Sequence, residues 1–226
     1  MMRQHATKGA YTMARRIKYF AGQHETQPIK DKKQLQSLLY YLLNKVDKAK
    51  SEVKRYQADR NYMLVLVGLN TAFRAEDLLQ LRVVDLNGYI SIKENKTGKM
   101  QNFKMNKAFK DEVDAYVKRW NLGKYEYMFM GQKTIVHGKP YNLPINRQQG
   151  HRIVSKAGAA IGINFVFGLH SLRKTFGYQY INNGGNVLTL MKMYNHDAPD
   201  VTLRYVCWGR EDAEKARENT FIGVKK

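Results

Sequence analysis

The first strong pattern of apolar positions begins near residue 31 and has helical spacing. Asp31, followed three positions later by Gln34, has the form of a capping box at a helix start. Apolar residues then recur every three or four positions as far as Val53. They are Leu35, Leu38, Leu39, Leu42, Leu43, Val46, Ala49 and Val53. This pattern predicts one long amphipathic helix from residue 31 to residue 53.

The next stretch predicts two helices and a hairpin. Residues 61–72 are apolar on nearly every side, which is typical of a buried helix, and residues 75–81 predict a short helix after a bend. Residues 89–92 and 101–105 alternate between apolar and polar positions and enclose a polar stretch with a glycine. This arrangement predicts a β-hairpin with Lys96 near its tip.

The middle of the chain predicts a helix, a strand and a loop. Residues 108–120 have a helical period, and residues 125–130 predict a short strand. Residues 132–143 contain proline and glycine, and we expect an irregular loop there. Asn146 then predicts the cap of another helix, which reaches about residue 160.

The last part of the chain predicts further short helices. Residues 169–182 repeat one apolar stripe, which an Asn-Asn-Gly-Gly sequence ends. Residues 187–194 predict a short helix, and Pro199 suits the first turn of the next one. The elements together predict a mainly helical α+β domain with one small antiparallel β-sheet.

Charge changes this picture, because the chain is strongly basic. Its 226 residues include 39 Lys and Arg against 19 Asp and Glu, a formal net charge of +20. Nucleic acid is the expected partner, since phosphate contacts release condensed counterions, and the alternative is a basic soluble protein without such a partner. Five cations lie on the polar face of the first predicted helix, which is either solvated or follows a nucleic-acid backbone. They are Lys45, Lys48, Lys50, Lys54 and Arg55.

Cysteine content and hydropathy limit the setting in which the protein works. Cys207 is the single cysteine, which excludes an intrachain disulfide and a Cys-rich zinc site and fits a reducing cytoplasm. The longest apolar run, residues 63–69, is too short to cross a bilayer. The N-terminal residues lack the apolar core of a secretory signal. We therefore expect a cytoplasmic protein with no membrane segment.

Two segments in the first half of the chain contain candidate catalytic residues. The segment NTAFRAEDLLQLRVVDL places Arg74 at a predicted helix start. The segment ISIKENKTGKMQNFKM places Lys96 in the turn of the predicted hairpin, with Lys99 as the alternative lysine.

Two segments in the second half complete the set. In HSLRKTFGYQYI, His170 and Arg173 are three residues apart, so one helical face presents both. In MYNHDAPDVTLRYV, His196 lies nine residues before Tyr205. Taken singly, each of these residues has an ordinary structural interpretation. The four segments in this order resemble those of tyrosine recombinases of the phage integrase family, over about residues 31–208.

The sequence departs from the family pattern at two places. The family usually has glycine where Ala72 stands, and a Leu-Gly pair where this chain has Tyr194 and Asn195. The second change lies beside His196 and leaves open whether the site is intact.

The resemblance implies a fold, a reaction and a role for each residue. Tyr205 would be the nucleophile that joins DNA through a 3′-phosphotyrosine, and His170 would position or deprotonate it. Arg74, Arg173 and His196 would hold the scissile phosphate, and Lys96 would protonate the leaving 5′-oxygen. The reaction conserves bond energy, so we expect no cofactor and no metal. The protein would be a site-specific DNA recombinase of a bacterial or phage-infected cell.

The expected domain organisation follows from the same comparison. Residues 1–30 are interpreted as a basic arm or linker, residues 31–208 as the catalytic domain, and residues 209–226 as a tail that contacts another protomer. We expect double-stranded DNA as the partner and a dimer to tetramer on it. Residues expected to contact DNA are Lys99, Arg147, Arg152, Lys156 and Lys174.

Other interpretations remain open at this level. Most family members have a separate N-terminal helical domain, so this chain is an excised catalytic domain, a minimal recombinase or a relative that only binds DNA. That last case would be a repressor or accessory protein with the recombinase fold. A third reading is a relaxing enzyme with type IB topoisomerase-like chemistry.

Overall fold

A computed structural model describes residues 25–136 and 139–224, with the backbone alone for 132–136 and 139–141. The predicted arm of residues 1–30 therefore lies mostly outside the described residues. The helices are α1 (Lys32–Asp47), α2 (Glu52–Thr71), α3 (Ala75–Leu79), α4 (Lys107–Arg119), α5 (Arg147–Ala160), α6 (Leu169–Asn182), α7 (Val187–Tyr194), α8 (Pro199–Tyr205) and α9 (Arg210–Glu218). The strands are β1 (Tyr89–Lys93), β2 (Met100–Lys104), β3 (Met130–Val136) and β4 (Lys139–Pro144). The predicted mainly helical α+β class is confirmed.

The first helix is shorter than predicted, because it does not continue to residue 53. Helix α1 ends at Asp47, and α2 begins after Ser51, whose hydroxyl accepts a hydrogen bond from the Lys54 N–H at 3.4 Å. The turn lets α1 and α2 pack against each other and bury the apolar stripe of α1. A continuous helix would leave part of that stripe in water, and Val53, beyond the turn, is 68% exposed.

Helix α2 lies in the core, as its all-round apolar pattern predicts. Met63, Leu64 and Val67 are almost completely buried. The helix packs against α6, and a Cβ at Gly68 would lie only 2.7 Å from Cδ1 of Leu172. The absence of a side chain at Gly68 therefore permits α2 and α6 to approach each other closely. This close packing brings the residues that follow α2 near to Arg173 on α6.

The chain forms two small sheets where one was predicted. Strands β1 and β2 pair antiparallel, with Ile90 opposite Phe103, which confirms the first hairpin. The loop expected at residues 132–143 is wrong, because β3 and β4 pair there. Pro140 and Pro144 are compatible with this pairing, since each strand of a two-stranded sheet has a free edge where no N–H donor is needed. Where a strand was expected at residues 125–130, the structure has only an isolated β-bridge between Tyr127 and Arg82, and Met130 begins β3.

The C-terminal helix is fixed to the domain through one buried carboxylate. Asp212 accepts hydrogen bonds from Lys30 Nζ at 2.7 Å, from the Tyr178 hydroxyl at 2.7 Å and from the Gly209 N–H at 2.9 Å. Beyond the helix, Phe221, Ile222 and Val224 are exposed. A protomer contact by this tail stays a prediction. Among the described residues, no helix combines the length and the apolar character needed to cross a membrane.

Candidate active site

A cleft of about 610 Å³ opens between α3, the β1–β2 turn, α5, α6 and the segment from α7 to α8. All six residues predicted to be catalytic line this one cleft, although they come from four separate segments of the chain. The lining residues are Arg74, Ala75, Glu76, Asn95, Lys96, Arg147, His170, Arg173, His196 and Tyr205. The structure therefore brings the set together, while the role of each member stays a prediction.

The two arginines are held by backbone carbonyls. Arg74 precedes the first turn of α3 and donates from Nη2 to the Tyr194 carbonyl at 3.3 Å. Arg173 donates from Nη2 to the same carbonyl at 3.1 Å and from Nη1 to the Ala72 carbonyl at 2.6 Å. One carbonyl at the end of α7 therefore fixes both guanidinium groups side by side.

Glu94 is a site residue that the sequence did not reveal. Its side chain is fully buried, pairs with Nη1 of Arg74 and lies 3.9 Å from Nη1 of Arg173. It also accepts hydrogen bonds from the Thr97 hydroxyl at 2.6 Å and from Asn195 Nδ2 at 2.9 Å. Burial alone would raise the pKa of Glu94, but these hydrogen bonds and the charge of Arg74 together lower it. The sequence shows only a carboxylate in a hairpin turn, and nothing in it indicates that Glu94 pairs with arginines elsewhere in the chain.

Both departures from the family pattern involve left-handed backbone. Ala72 has φ 56° and ψ 22°, and Asn195 has φ 53° and ψ 42°, a region that glycine adopts most easily. Asparagine tolerates this conformation better than other side chains, and the Asn195 amide also bonds to Glu94. These backbone angles explain why glycine is usual at both positions.

Tyr194 fits the site rather than disturbing it. Its ring is fully buried, and the Arg173 guanidinium carbon lies 4.2 Å from the ring centroid. Its hydroxyl donates to the Arg173 carbonyl at 2.5 Å. Tyr194, which is larger than the leucine usual at this position, therefore packs against Arg173 and helps to position it.

Tyr205 ends α8 with its ring inside a small aromatic cluster. The ring centroid lies 5.3 Å from that of His196 and 5.5 Å from that of Tyr194, both edge to face. Burial raises the pKa of Tyr205, although the charges of Arg173 and Arg74 oppose the increase. The free protein therefore holds a neutral phenol that needs a base to become a good nucleophile.

The two histidines are held in the neutral form. Burial lowers the pKa of His170, and the charges of Arg147 and Arg173 lower it further. Burial also lowers the pKa of His196, with Arg173 and Arg74 adding to the effect. Nδ1 of His196 lies 3.0 Å from the Thr202 hydroxyl, which fixes the ring orientation. At neutral pH each ring therefore keeps one nitrogen that can accept a proton.

The hairpin turn distinguishes the two candidate lysines. Lys96 lines the cleft, whereas Lys99 is exposed outside its lining. The turn is attached to α3, because Asp77 accepts a hydrogen bond from the Asn95 N–H at 2.9 Å. Burial raises the pKa of Asp77, and this hydrogen bond partly opposes the increase. Asp77 therefore anchors the hairpin that presents Lys96.

Lys174, one of the residues expected to contact DNA, lies in a largely buried environment. The side chain of Lys174 is only 6% exposed, and its ammonium lies 5.1 Å from the Tyr205 ring centroid and 3.7 Å from a Glu25 carboxylate oxygen. Helix α6 turns this face towards α8, so Lys174 lies largely buried beside Tyr205, and its contact with DNA stays a prediction. Arg147 lines the cleft, and Arg152 and Lys156 are exposed further along α5.

Comparison with known proteins gives a matching family and several relatives. Residues 31–208 match the Phage integrase family. The probable integrase/recombinase YoeC of Bacillus subtilis (strain 168) is 32% identical over 203 residues, which cover 89% of this chain and 99% of YoeC. The type 1 fimbriae regulatory protein FimE of Escherichia coli (strain K12) is 25% identical over 170 residues, 73% of this chain and 84% of FimE.

Solved structures share the fold at low sequence identity. XerA recombinase superposes with a TM-score of 0.63 at 16% identity, over 88% of this chain and 66% of that chain. The XerH site-specific recombinase, bound to palindromic difH substrate in a post-cleavage complex, superposes with a TM-score of 0.61 at 20% identity. That alignment covers 89% of this chain and 55% of XerH. This chain thus spans about half to two thirds of these two proteins.

Proposed function

This chain belongs to the phage integrase family, and from that premise we propose that it is a tyrosine recombinase that cleaves and rejoins DNA strands. The observation that supports the proposal best is that one cleft is lined by Tyr205, three arginines, two histidines and a lysine. These are the groups that displacement at a phosphodiester needs: a nucleophile, charge stabilisation around phosphorus and proton transfer to the leaving oxygen.

The first step transfers the DNA to the protein. The Tyr205 oxygen attacks phosphorus, the bond from phosphorus to the 5′-oxygen breaks, and the DNA 3′-phosphate becomes joined to the tyrosine. His170 accepts the phenolic proton, a role that its lowered pKa supports, because a neutral imidazole is a base. Lys96 donates a proton to the leaving 5′-oxygen. Attack by a 5′-hydroxyl of another strand reverses these events and rejoins the DNA.

Arg74 and Arg173 stabilise the negative charge that develops on the phosphate. A guanidinium has five N–H donors, and two of those of Arg173 are used on the carbonyls of Ala72 and Tyr194. Further donors remain for the nonbridging oxygens, and His196 adds one more. The carbonyl contacts hold both guanidinium groups in place before DNA binds, so little reorganisation is needed during the reaction.

The substrate is double-stranded DNA, which the net charge of +20 favours. The XerH site-specific recombinase, which has the same fold, is bound to palindromic difH substrate, and the likeness supports a substrate of the same kind here. Exchange of strands between two duplexes requires several active sites, so we propose a dimer to tetramer on DNA. The protein would act in the cytoplasm of a bacterial or phage-infected cell.

The test compares the wild type with Tyr205→Phe on supercoiled plasmid that contains DNA from around the gene of this protein. We expect the wild type to form covalent protein–DNA adducts on denaturing gels, and Tyr205→Phe to form none while binding DNA within about twofold of the wild type, since one hydroxyl is lost and the cationic surface is unchanged. Tyr125→Phe, at an exposed tyrosine, is the matched control and should behave as the wild type.

The outcomes separate the interpretations. Adducts with recombinant products support the recombinase, and relaxation without recombinants indicates a topoisomerase-like enzyme. Binding without adducts in the wild type would instead indicate a DNA-binding protein that lacks the reaction.

A further inference from the structure

Lys174 is a buried cation to which the proposed reaction gives no role. Its side chain is only 6% exposed, and it follows Arg173 directly on α6. Tyr205 lines the cleft, whereas Lys174 is not among the residues that line it. The ammonium therefore lies beside the nucleophile and outside the space in which the phosphate would bind.

Two groups compensate the charge of Lys174 within the described part of the chain. Nζ lies 5.1 Å from the centroid of the Tyr205 ring, within the range of a cation–π interaction. Nζ also lies 3.7 Å from Oε2 of Glu25, whose side chain is 83% exposed. Water screens that carboxylate, so the tyrosine ring is the more buried of the two partners.

The segment before α1 is fixed where it brings Glu25 near Lys174. The Ile29 N–H donates to the Thr175 hydroxyl at 2.9 Å, and Nε2 of Gln179 donates to the Ile29 carbonyl at 3.1 Å. Ile29 itself is completely buried. Because Thr175 follows Lys174 on α6, the segment is attached to the same turn of the helix as the buried ammonium.

Burial of the Lys174 ammonium is unfavourable for the fold. A charge taken out of water loses hydration that one exposed carboxylate and one aromatic ring do not fully replace. An apolar side chain of similar length would fill the same space without that loss. Stability therefore does not account for a lysine at this position, and an effect of its charge on Tyr205 does.

A cation at this place favours the reactive forms of two neighbours. A phenolate has negative charge that an adjacent ammonium attracts, whereas the neutral phenol has none. One turn earlier on α6, burial and the charges of Arg147 and Arg173 lower the pKa of His170, and the charge of Lys174 adds to this effect. Lys174 thus favours both the ionised nucleophile and the neutral base.

The other charged and titratable groups that face Tyr205 do not replace Lys174. They are Arg74, Arg173, Tyr194, His196 and Cys207. Burial raises the pKa of Tyr205, and the charges of the two arginines oppose the increase. Both arginines line the cleft, however, and bound phosphate would neutralise them. The charge of Lys174 lies outside the cleft and stays with the tyrosine when DNA is bound.

We propose that Lys174 is a positioning residue for Tyr205, which holds the ring in place and stabilises the phenolate that attacks phosphorus. Glu25 partly neutralises Lys174 and so limits this stabilisation. The attack on phosphorus rests on the proposed recombinase function. The effect of Lys174 on the ionisation of Tyr205 does not require DNA and can be measured without it.

The experiment measures the pKa of Tyr205 by fluorine NMR in the full chain labelled with fluorotyrosine. Fluorination lowers the pKa of the phenols and brings the titration to milder pH, and the signal that Tyr205→Phe removes belongs to Tyr205. Lys174→Met keeps the length of the side chain without its charge, and Lys174→Arg keeps the charge. Lys118→Met, at an exposed position on α4, is the matched control.

We expect Lys174→Met to raise the pKa of Tyr205 by about one unit and to slow adduct formation at saturating DNA about tenfold at neutral pH, because one pKa unit changes the ionised fraction tenfold. The rise of the rate with pH should move to higher pH by the same amount. Lys174→Arg should recover most of both effects. The urea midpoint of Lys174→Met should not fall, since a buried charge is removed.

Glu25→Gln tests the second part of the proposal at a side chain too exposed to disturb the fold. It should lower the pKa of Tyr205 by less than about one unit, because water screens the lost charge. The shift should vanish in the Lys174→Met background, and a shift that persists there would contradict the link. If Lys174→Met fails to fold, an unchanged pKa in Glu25→Gln overturns the proposal.

The two readouts distinguish this proposal from the proposed function. If the wild type forms no adduct, the recombinase function fails, yet the NMR titration still decides whether Lys174 acts on Tyr205. If adducts form but the pKa of Tyr205 is the same in Lys174→Met as in Lys118→Met, the recombinase stands and the role of Lys174 is overturned.

Discussion

At the scale of single residues, Glu94 links the two arginines that are predicted to hold the phosphate. It is the buried anion between two arginines, and its carboxylate also holds the side chain of Asn195. Two guanidinium groups this close repel each other, so an anion behind them keeps both in place and leaves their other donors for the phosphate. Glu94 acts through the arginines and is therefore a positioning residue.

Glu94→Gln tests this role, since it keeps the size of the side chain and removes its charge. Charged hydrogen bonds contribute about 1.5–3 kcal/mol, so adduct formation should slow by about 10- to 100-fold. DNA affinity should be unchanged or tighter, because a negative charge near the phosphate is lost. Single-turnover cleavage and anisotropy measure the two quantities separately.

The control for Glu94→Gln is Glu112→Gln, at an exposed position on α4. It should change neither quantity. A parallel loss of DNA binding and cleavage in Glu94→Gln would indicate a general loss of structure and contradict a positioning role.

At the scale of elements, the end of α7 positions both of these arginines. The Tyr194 carbonyl accepts hydrogen bonds from both arginines, and Asn195 turns the chain through left-handed backbone towards His196. Helix α6 approaches closely here, since a Cβ at Gly177 would lie 2.5 Å from the Tyr194 hydroxyl oxygen. The cleft therefore depends on how one short helix ends.

Substitutions at Asn195 separate the backbone effect from the side-chain effect. Asn195→Gly and Asn195→Ala both lose the bond to Glu94, but only glycine adopts the left-handed conformation without strain. We expect the alanine variant to be less stable than the glycine variant by about 1 kcal/mol in urea denaturation. The order should reverse at Lys192, an exposed residue within α7, where glycine costs about 1 kcal/mol relative to alanine. An alanine variant at Asn195 as stable as the glycine variant would contradict this account.

At the scale of the whole molecule, Asp212 joins the segment before α1, helix α6 and helix α9. Burial alone would raise the pKa of Asp212, but the bonds from the Gly209 N–H, Lys30 and Tyr178 together lower it. A carboxyl with a lowered pKa in the folded state stabilises the protein while the unfolded carboxyl is also ionised. That stabilisation is lost as pH falls below the unfolded value of about 3.9.

Asp212→Asn should lower the free energy of unfolding at neutral pH by about 1–3 kcal/mol, since three donors lose a charged acceptor. The difference from the wild type should stay constant down to about pH 4 and shrink below it. Chemical denaturation across pH measures this. Asp111→Asn, at an exposed ion pair, should change stability by less than about 0.5 kcal/mol. A difference that grows as pH falls would contradict the assignment.

The sequence alone determined the features that depend on local spacing and on residue chemistry. Apolar periodicity and caps located most helices and the β1–β2 hairpin, because each depends on residues close together in the chain. The four segments identified the family correctly and named residues that line one cleft. Their spacing within each segment is a local property, whereas their meeting in space follows from the family fold.

Tertiary structure alone decided the features that depend on contacts between distant residues. The break after Asp47 forms because folding back buries an apolar stripe, and the β3–β4 pairing needs each strand as the partner of the other. Glu94 becomes a site residue only where the start of α3, helix α6 and the end of α7 converge. Lys174 is buried only because α6 turns towards α8. Burial and ion pairing are set by packing across the whole chain, which periodicity along the sequence does not encode.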